Sequence, residues 1–451
     1  MDDPLVSFIH ECNLAHAPAE VREQVQKVIL DNCAAMIAGS RVECSRIMRG
    51  FVADFLQGVA ATIVGHSSKA NVAGAALANA CAANALDIDD GFRLAKGHPG
   101  AVIIPAALAQ AEALASTGAE FLNAVLAGYE MAMRASVAWH RHPHRGPSYH
   151  GSGSWGSLGA AAACARLLKL SPQQTRMALG IAEYHAPLAP IMTCVEHPAM
   201  VKDGIHWGAF VGVTAAHLAA RGFTGIPSIF AMPEQQDLVQ TLGKEWWIDR
   251  LYFKFFPCCR WAQPPVAAAL ELLKRHDLDP HQISSVCVET FDAATKLSTR
   301  RPRTTEEAQY SLPYTVACAL ARQRLGVAEV TEPGLNDPLA LELAERVVLK
   351  VADEFEQQFP ARALARLRIA MRDGRPYASD IMQAPGDAES GVTFQQLGEK
   401  AAALISADHA TELSRLVKDC HRLTTVDPLC GCLAIIAPIS HERSPNHPVS
   451  V

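Results

Sequence analysis

The hydrophobic pattern of this chain changes near Pro265, and that change constrains the fold more than any other feature. Before it, Ala-rich segments such as AVIIPAALAQAEALAS and HWGAFVGVTAAHLAARG carry apolar residues at helical spacing. After it, AALELLKRHDL predicts an amphipathic helix and HQISSVCVETFD alternates as a strand does. ARALARLRIAMRDGRPYASDI then predicts two strands around a DG turn. From FQQLGEKAAALIS onward the pattern is helical again.

These blocks predict a mainly α protein with an α+β second domain. A chain of 451 residues is too long for one ordinary core, so two domains are expected. We predict a helical domain whose first part is residues 1–265, an α+β domain over 266–398, and a return to the helical domain over 399–451.

Charge and composition exclude several classes of protein. The net charge is −6 and no basic run stands out, which argues against nucleic-acid binding. No segment offers roughly 18 uninterrupted apolar residues, so we predict no membrane span. The acidic N-terminus MDDPLVSFIHECNLAH does not resemble a signal peptide. The 13 cysteines lie mostly in apolar runs, which favours reduced thiols and a cytoplasmic protein.

The segment DIDDGFRLAKGHPG, residues 87–100, places several charges between two segments that look like buried helices. It holds Asp87, Asp89, Asp90, Arg93, Lys96 and His98. Such a stretch can be a solvated loop, a metal site or the edge of an active site, and Asp-rich helix ends often serve only as caps.

Four further polar clusters interrupt the apolar sequence. They are HRHPHRGPSYHGSGSWGS with Tyr149 and His150, TCVEHPAMVKDGIHWG with Lys202 and His206, LYFKFFPCCRWAQPP with Lys254 and Arg260, and EEAQYSLPYTVACAL with Tyr310 and Tyr314. Taken singly, each has a structural interpretation. A lysine in an apolar stretch usually extends to water, and a tyrosine is often a core aromatic with a tethered hydroxyl.

Metal and nucleotide cofactors are disfavoured by the motifs. His140, His142 and His144 form an HxHxH run, but Arg141 and Arg145 beside it would repel a cation. The cysteine pairs lack the spacing of a structural zinc site. Neither a GxGxxG after a strand nor a P-loop occurs. We therefore predict no metal and no cofactor.

Taken together, the clusters resemble the MmgE/PrpD family. The motifs follow one another in order as LDIDDG, GHPG, PAALAQAE, GYEMAMR, HGSGSWGSLGAAAA, VKDGIHWG, FKFFPCCRW and EEAQYSLPYTVACAL. The resemblance implies a large helical domain built from both ends of the chain and an inserted α+β lid. It also implies a homodimer that needs no metal or organic cofactor.

The resemblance also assigns candidate site residues by position. It implies catalytic roles for Asp87, His98, His150, Lys202 and Tyr314, and substrate binding by Lys254. Arg260, Tyr149 and Arg93 are added as substrate-binding candidates from their chemistry and position. Gly91 stands where decarboxylase-like members carry a threonine, and the spacing from Asp90 to His98 is one residue longer. Both differences weaken the inference, by resemblance, that this protein is a decarboxylase.

Members of such a family dehydrate, decarboxylate or epimerise small polycarboxylates, and each reaction builds negative charge on carbon beside a carboxylate. Lysine and arginine side chains stabilise that charge, and histidines transfer protons near neutral pH. We predict a hydro-lyase acting on a 2-methylcitrate-like acid. An iminodisuccinate-type epimerase, a cis-aconitate-type decarboxylase and an inactive ligand-binding or assembly protein remain as alternatives.

Overall fold

A computed structural model describes residues 3–141 and 151–435 of the chain. Its helices and strands form a mainly α protein with a smaller α+β part, which confirms the predicted fold class. Among the described residues no helix is both long and apolar enough to cross a lipid bilayer.

The N-terminal half consists of helices and three short strands. They are α1 (Pro4–Glu11), α2 (Ala19–Gly39), α3 (Glu43–Phe55), β1 (Gln57–Thr62), β2 (Lys69–Ala70), α4 (Val72–Asn84), β3 (Gly91–Phe92), α5 (Gly100–Ala113), α6 (Gly118–Arg141), α7 (Ser152–Leu167), α8 (Pro172–Tyr184), α9 (Ile191–Glu196), α10 (Ile205–Ala220) and α11 (Gln236–Gln240). Small residues let these helices approach closely. A Cβ on Gly159 of α7 would lie 2.5 Å from the carbonyl oxygen of Gly128 in α6.

The middle of the chain carries most of the strands. It contains β4 (Leu251–Tyr252), α12 (Gln263–Arg275), β5 (Ile283–Thr290), α13 (Asp292–Thr295), α14 (Thr305–Gln309), α15 (Leu312–Arg322), α16 (Val327–Val330), α17 (Pro338–Glu345), β6 (Val347–Val351), α18 (Asp353–Glu356), β7 (Leu364–Met371), β8 (Pro376–Ala378) and β9 (Met382–Gln383). The strand order is β6-β5-β7-β8, with β9 also paired to β7. β5 runs parallel to β6 and antiparallel to β7.

Three helices complete the described chain. They are α19 (Phe394–Ile405), α20 (Ala407–Lys418) and α21 (Asp427–Ala434). α19 and α20 pack on α2, so the C-terminal segment returns to the first helices.

Two hydrophobic cores divide the described residues. One draws its buried side chains from residues 5–253 and 392–433. The other draws them from 258–371, together with Cys194 and Val195. The predicted division at 265 and 398 stays a proposal, and the first core already resumes at Val392. The chain enters the second core slightly earlier than predicted, because Cys258, Trp261 and Ala262 already pack there.

Candidate active site

The segment 87–98 is a tight loop between α4 and α5, and it contributes to a cleft between the two cores. Asp87 and Lys96 have positive φ angles of 52° and 53°. Between them the backbone closes a narrow hairpin, since the amide of Phe92 donates to the carbonyl of Gly97 over 2.8 Å. β3 within this loop pairs with β4, so the loop is tied to the segment that leads into the second core.

The cleft holds a small cavity of about 50 Å³ that opens to solvent. Its charged lining residues are four with basic side chains and two with acidic ones, namely Arg93, Lys96, His98, Arg260, Asp87 and Asp203. The remaining lining residues include Tyr252, Cys259, Trp261, Tyr310 and Phe359. A cleft with this balance favours an anionic ligand.

One ring nitrogen of His98, Nδ1, is occupied by contacts with neighbouring residues of the protein. Its Nδ1 lies 3.0 Å from the carbonyl oxygen of Asp90 and 3.0 Å from Oδ2 of Asp89. Both partners are acceptors, so Nδ1 carries a proton and Nε2 is the atom that can exchange one. Burial alone would lower the pKa of His98, but the Asp89 carboxylate outweighs it and raises the pKa above the ordinary value of 6.5.

Asp87 faces His98 from the other end of the loop. Its Oδ1 lies 3.5 Å from Nε2 of His98 and 2.9 Å from Nζ of Lys254. Burial alone would raise the pKa of Asp87, but Lys254, Lys202 and His98 together lower it to about 2. Oδ1 forms an ion pair with Lys254, whereas Oδ2 has no hydrogen-bond partner among the described residues. Asp87 is therefore a buried, ionised carboxylate with free acceptor capacity.

Lys254 and Lys202 lie behind the cleft and do not line it. Lys254 is fully buried, and its Nζ also donates to the carbonyl of Asp87 over 2.8 Å. Lys202 is buried as well, and its Nζ donates to Oε1 of Gln309 over 2.6 Å. Neither lysine contacts the cleft. Substrate binding by Lys254 and catalysis by Lys202 therefore stay predictions. Both lysines instead balance the charge of Asp87.

Tyr314 is not among the residues that line the cleft. Its ring belongs to the second core, and its hydroxyl donates to the carbonyl of Glu329 or Gly334, each 2.8 Å away. Tyr310, four residues earlier, lines the cleft together with Tyr252. Tyr310 follows α14 directly and Tyr314 lies in the first turn of α15, so the two side chains have different surroundings. The catalytic role of Tyr314 stays a prediction, for which the structure shows no cleft contact.

The other predicted residues have mixed positions. Arg93 and Arg260 line the cleft, and each forms an ion pair with an acidic residue, Glu389 and Asp387 respectively. Tyr149 and His150 lie outside the described residues, so their roles stay predictions. Asp89 was not assigned a role from the sequence, although its position two residues after Asp87 in the same acidic run was a usable signal.

Asp87, Asp89 and His98 could also hold a metal ion, since each offers one ligand atom and these atoms lie within 4.8 Å of one another. The surrounding charges oppose a cation. The two carboxylates are faced by His98, Lys254 and Lys202, and an ammonium already lies 2.9 Å from Oδ1 of Asp87. The arrangement fits an acid–base pair better than a divalent metal site.

We therefore expect no divalent cation to bind at this trio. Isothermal titration of EDTA-treated protein with Mg²⁺ and Mn²⁺ should give no stoichiometric binding, because a second cation would be repelled by the buried lysines. Asp89→Asn serves as the matched variant. Stoichiometric binding by the wild type that this variant abolishes would contradict the assignment.

Fold and cleft together define a mainly α protein with a smaller α+β part and a cleft that holds a histidine beside two carboxylates. Residues 3–245 match the MmgE/PrpD N-terminal domain and residues 256–421 match the MmgE/PrpD C-terminal domain. The chain belongs to the MmgE/PrpD family, as the sequence motifs predicted.

Full-length relatives within that family include decarboxylases. The chain is 24% identical over 452 residues to a cis-aconitate decarboxylase of Aspergillus terreus, covering 92% of each chain. It is also 24% identical over 457 residues to the human cis-aconitate decarboxylase, covering 94% of each. These relationships support an enzyme of a lyase-type family that acts on polycarboxylates.

Proposed function

We propose that this protein is a cofactor-independent lyase of a small polycarboxylate and that His98 is its general acid. One observation carries the proposal. His98 is fixed through Nδ1 by Asp89 and the Asp90 carbonyl, and its Nε2 is left beside Asp87 in a cleft lined by Arg93, Lys96 and Arg260. This supplies a proton donor and a carboxylate-binding environment in the same place.

The reaction that this pair suits best is elimination of water from a 2-methylcitrate-like acid. Asp87 removes a proton from carbon next to a carboxylate, and the C–H electron pair forms the double bond. The C–O bond of the adjacent carbon breaks, and the leaving hydroxyl takes the proton of His98 and departs as water. The proton on Asp87 then passes to His98 across 3.5 Å, which the order of their pKa values favours.

The short separation of the two groups also bears on stereochemistry. An acid and a base 3.5 Å apart reach substituents on the same side of two neighbouring carbons, which suits a syn elimination. The same pair cannot flank one carbon from opposite faces. An epimerase would therefore need a second acid–base group, and the epimerase alternative is supported less well.

Decarboxylation of a cis-aconitate-like acid is the second candidate, because the relatives that carry this name align over almost the whole chain. There the C–C bond to the leaving carboxylate breaks, CO₂ departs, and His98 protonates the resulting carbanion. This reaction uses the same acid and needs no base.

Product analysis separates the candidates. We expect 2-methylcitrate to give the ultraviolet absorbance of an alkene without release of CO₂. Release of CO₂ from cis-aconitate, with no reaction of 2-methylcitrate, would favour decarboxylation. Exchange of the α-proton in deuterated water without either change would favour epimerisation. Binding of these acids without any turnover would contradict the lyase proposal and leave a ligand-binding protein.

The pH dependence follows from the raised pKa of His98. His98 must be protonated to act as the acid, so kcat should fall as the pH rises through this pKa, which lies above 6.5. Asp87, with a pKa of about 2, stays ionised throughout. A kcat profile over neutral and alkaline pH checks this, and a kcat that rises through the same range would contradict the assignment of His98 as the acid.

A further inference from the structure

We infer that Asp387 is a positioning residue that sets substrate specificity by fixing Arg260 to receive a substrate carboxylate remote from the reacting carbon. This rests on the proposed function and deepens it. Asp387 lies between β9 and α19, on the segment that returns from the second core to the first. It is far from Arg260 in sequence but in direct contact with it.

Two contacts hold the Asp387 carboxylate in place. It is buried, at 5% exposure, its Oδ1 accepts from Nη2 of Arg260, and its Oδ2 accepts from Nε2 of Gln383. The segment is fixed in turn, because the amide of Phe253 donates to the carbonyl of Gly386 over 2.9 Å. The two segments that connect the cores are thus joined directly beside the cleft.

The flat face of the guanidinium is held separately by Tyr252. Cζ of Arg260 lies 4.4 Å from the centroid of the Tyr252 ring, within cation–π range. Tyr252 can occupy this place only because residue 91 is a glycine. A Cβ on Gly91 would lie 2.2 Å from Cζ of the tyrosine ring. Gly91, which the sequence marked as unusual, therefore takes part in positioning Arg260.

The contacts with Asp387 and Tyr252 leave one buried nitrogen of Arg260 without a hydrogen-bond partner among the described residues. This nitrogen is Nη1, and a buried donor without an acceptor is costly. Arg260 lines the cleft, and in this inference the acceptor that Nη1 lacks is a carboxylate oxygen of a bound ligand. Arg260 is a separate group from the Asp87–His98 pair, which acts at the reacting carbon. A carboxylate bound by Arg260 is therefore a second one, beyond the carboxylate next to the reacting carbon.

A double-mutant cycle tests the inference. The probes are KM for the turned-over acid and the Kd of tricarballylate, a saturated tricarboxylate without a hydroxyl to eliminate. We expect Asp387→Asn to raise both about tenfold and to leave kcat within about twofold, because it weakens one charge-assisted contact. Arg260→Lys should raise them at least as much. The double variant should be no weaker than Arg260→Lys, since Asp387 acts through Arg260.

Asp380→Asn is the matched control, because Asp380 is exposed and pairs with Arg275 away from the cleft. It should change neither constant. Gly91→Ala provides a second arm if Asp387→Asn does not fold, and it should raise KM in the same direction by displacing Tyr252. Unchanged constants in Asp387→Asn, or additive effects in the double variant, would overturn the inference. A wild type that binds no polycarboxylate would instead contradict the proposed function itself.

Discussion

His98→Gln should lower kcat about a thousandfold while leaving the protein folded. A positioned general acid typically contributes 10²–10⁴ in rate, and glutamine has no titrating proton to give. Its amide can still donate to the acceptors that now hold Nδ1, the Asp89 carboxylate and the Asp90 carbonyl. Steady-state kinetics, with circular dichroism to confirm folding, measures the effect.

The matched control is His217→Gln in α10. His217 is half-buried, and its Nε2 lies 2.7 Å from Oε1 of Gln110. The variant therefore makes the same chemical change at a hydrogen-bonded histidine that does not line the cleft. We expect its kcat to stay within about twofold of the wild type. If a folded His98→Gln variant kept kcat within about threefold, His98 would not be the acid.

Lys254→Met should lower the free energy of unfolding by about 3–5 kcal/mol near neutral pH, because it leaves Asp87 as an unpaired buried charge. With Lys254 present, the depressed pKa of Asp87 contributes stability above its unfolded pKa, and this stability is lost as the pH falls toward about 2. Without Lys254 that pKa rises. The deficit of the variant should therefore shrink on acidification, because protonation removes the unpaired charge. Urea unfolding at about pH 7 and about pH 4.5 measures both values.

A second substitution distinguishes lost charge balance from lost packing. In Lys254→Met/Asp87→Asn both members of the ion pair are neutral, so we expect the double variant to recover much of the stability lost in Lys254→Met. A single variant that loses less than about 1 kcal/mol, or a double variant no more stable than the single one, would contradict a structural charge pair.

The sequence predicted the fold class because its signals are local. The period of the apolar residues changes near Pro265, and β5, β7 and β8 form where alternation and the DG turn indicated. The 87–98 loop was also identified from local signals, since a charged run between apolar helices is conspicuous. The roles of Asp87 and His98 came from the resemblance, and the structure places both in the cleft.

What the sequence could not provide was orientation and long-range contact. In sequence, Lys202 and Lys254 cannot be told apart from lysines that bind substrate. Only the packed structure shows that Lys202 contacts Gln309 and that Lys254 contacts Asp87. Tyr310 and Tyr314 share one motif but face different surroundings. Asp387 gave no signal, because its partner Arg260 lies in a distant part of the chain.

The central claim is that His98 is a protonated acid in a carboxylate-binding cleft, and a titration of its imidazole tests this most directly. Protein with ¹³C-labelled histidine, compared with His98→Gln to assign the signal, can be titrated by NMR with and without tricarballylate. We expect a pKa above 6.5 that rises further when the anion binds, because a nearby negative charge favours the imidazolium. A pKa at or below 6.5 that the anion leaves unchanged would contradict the account.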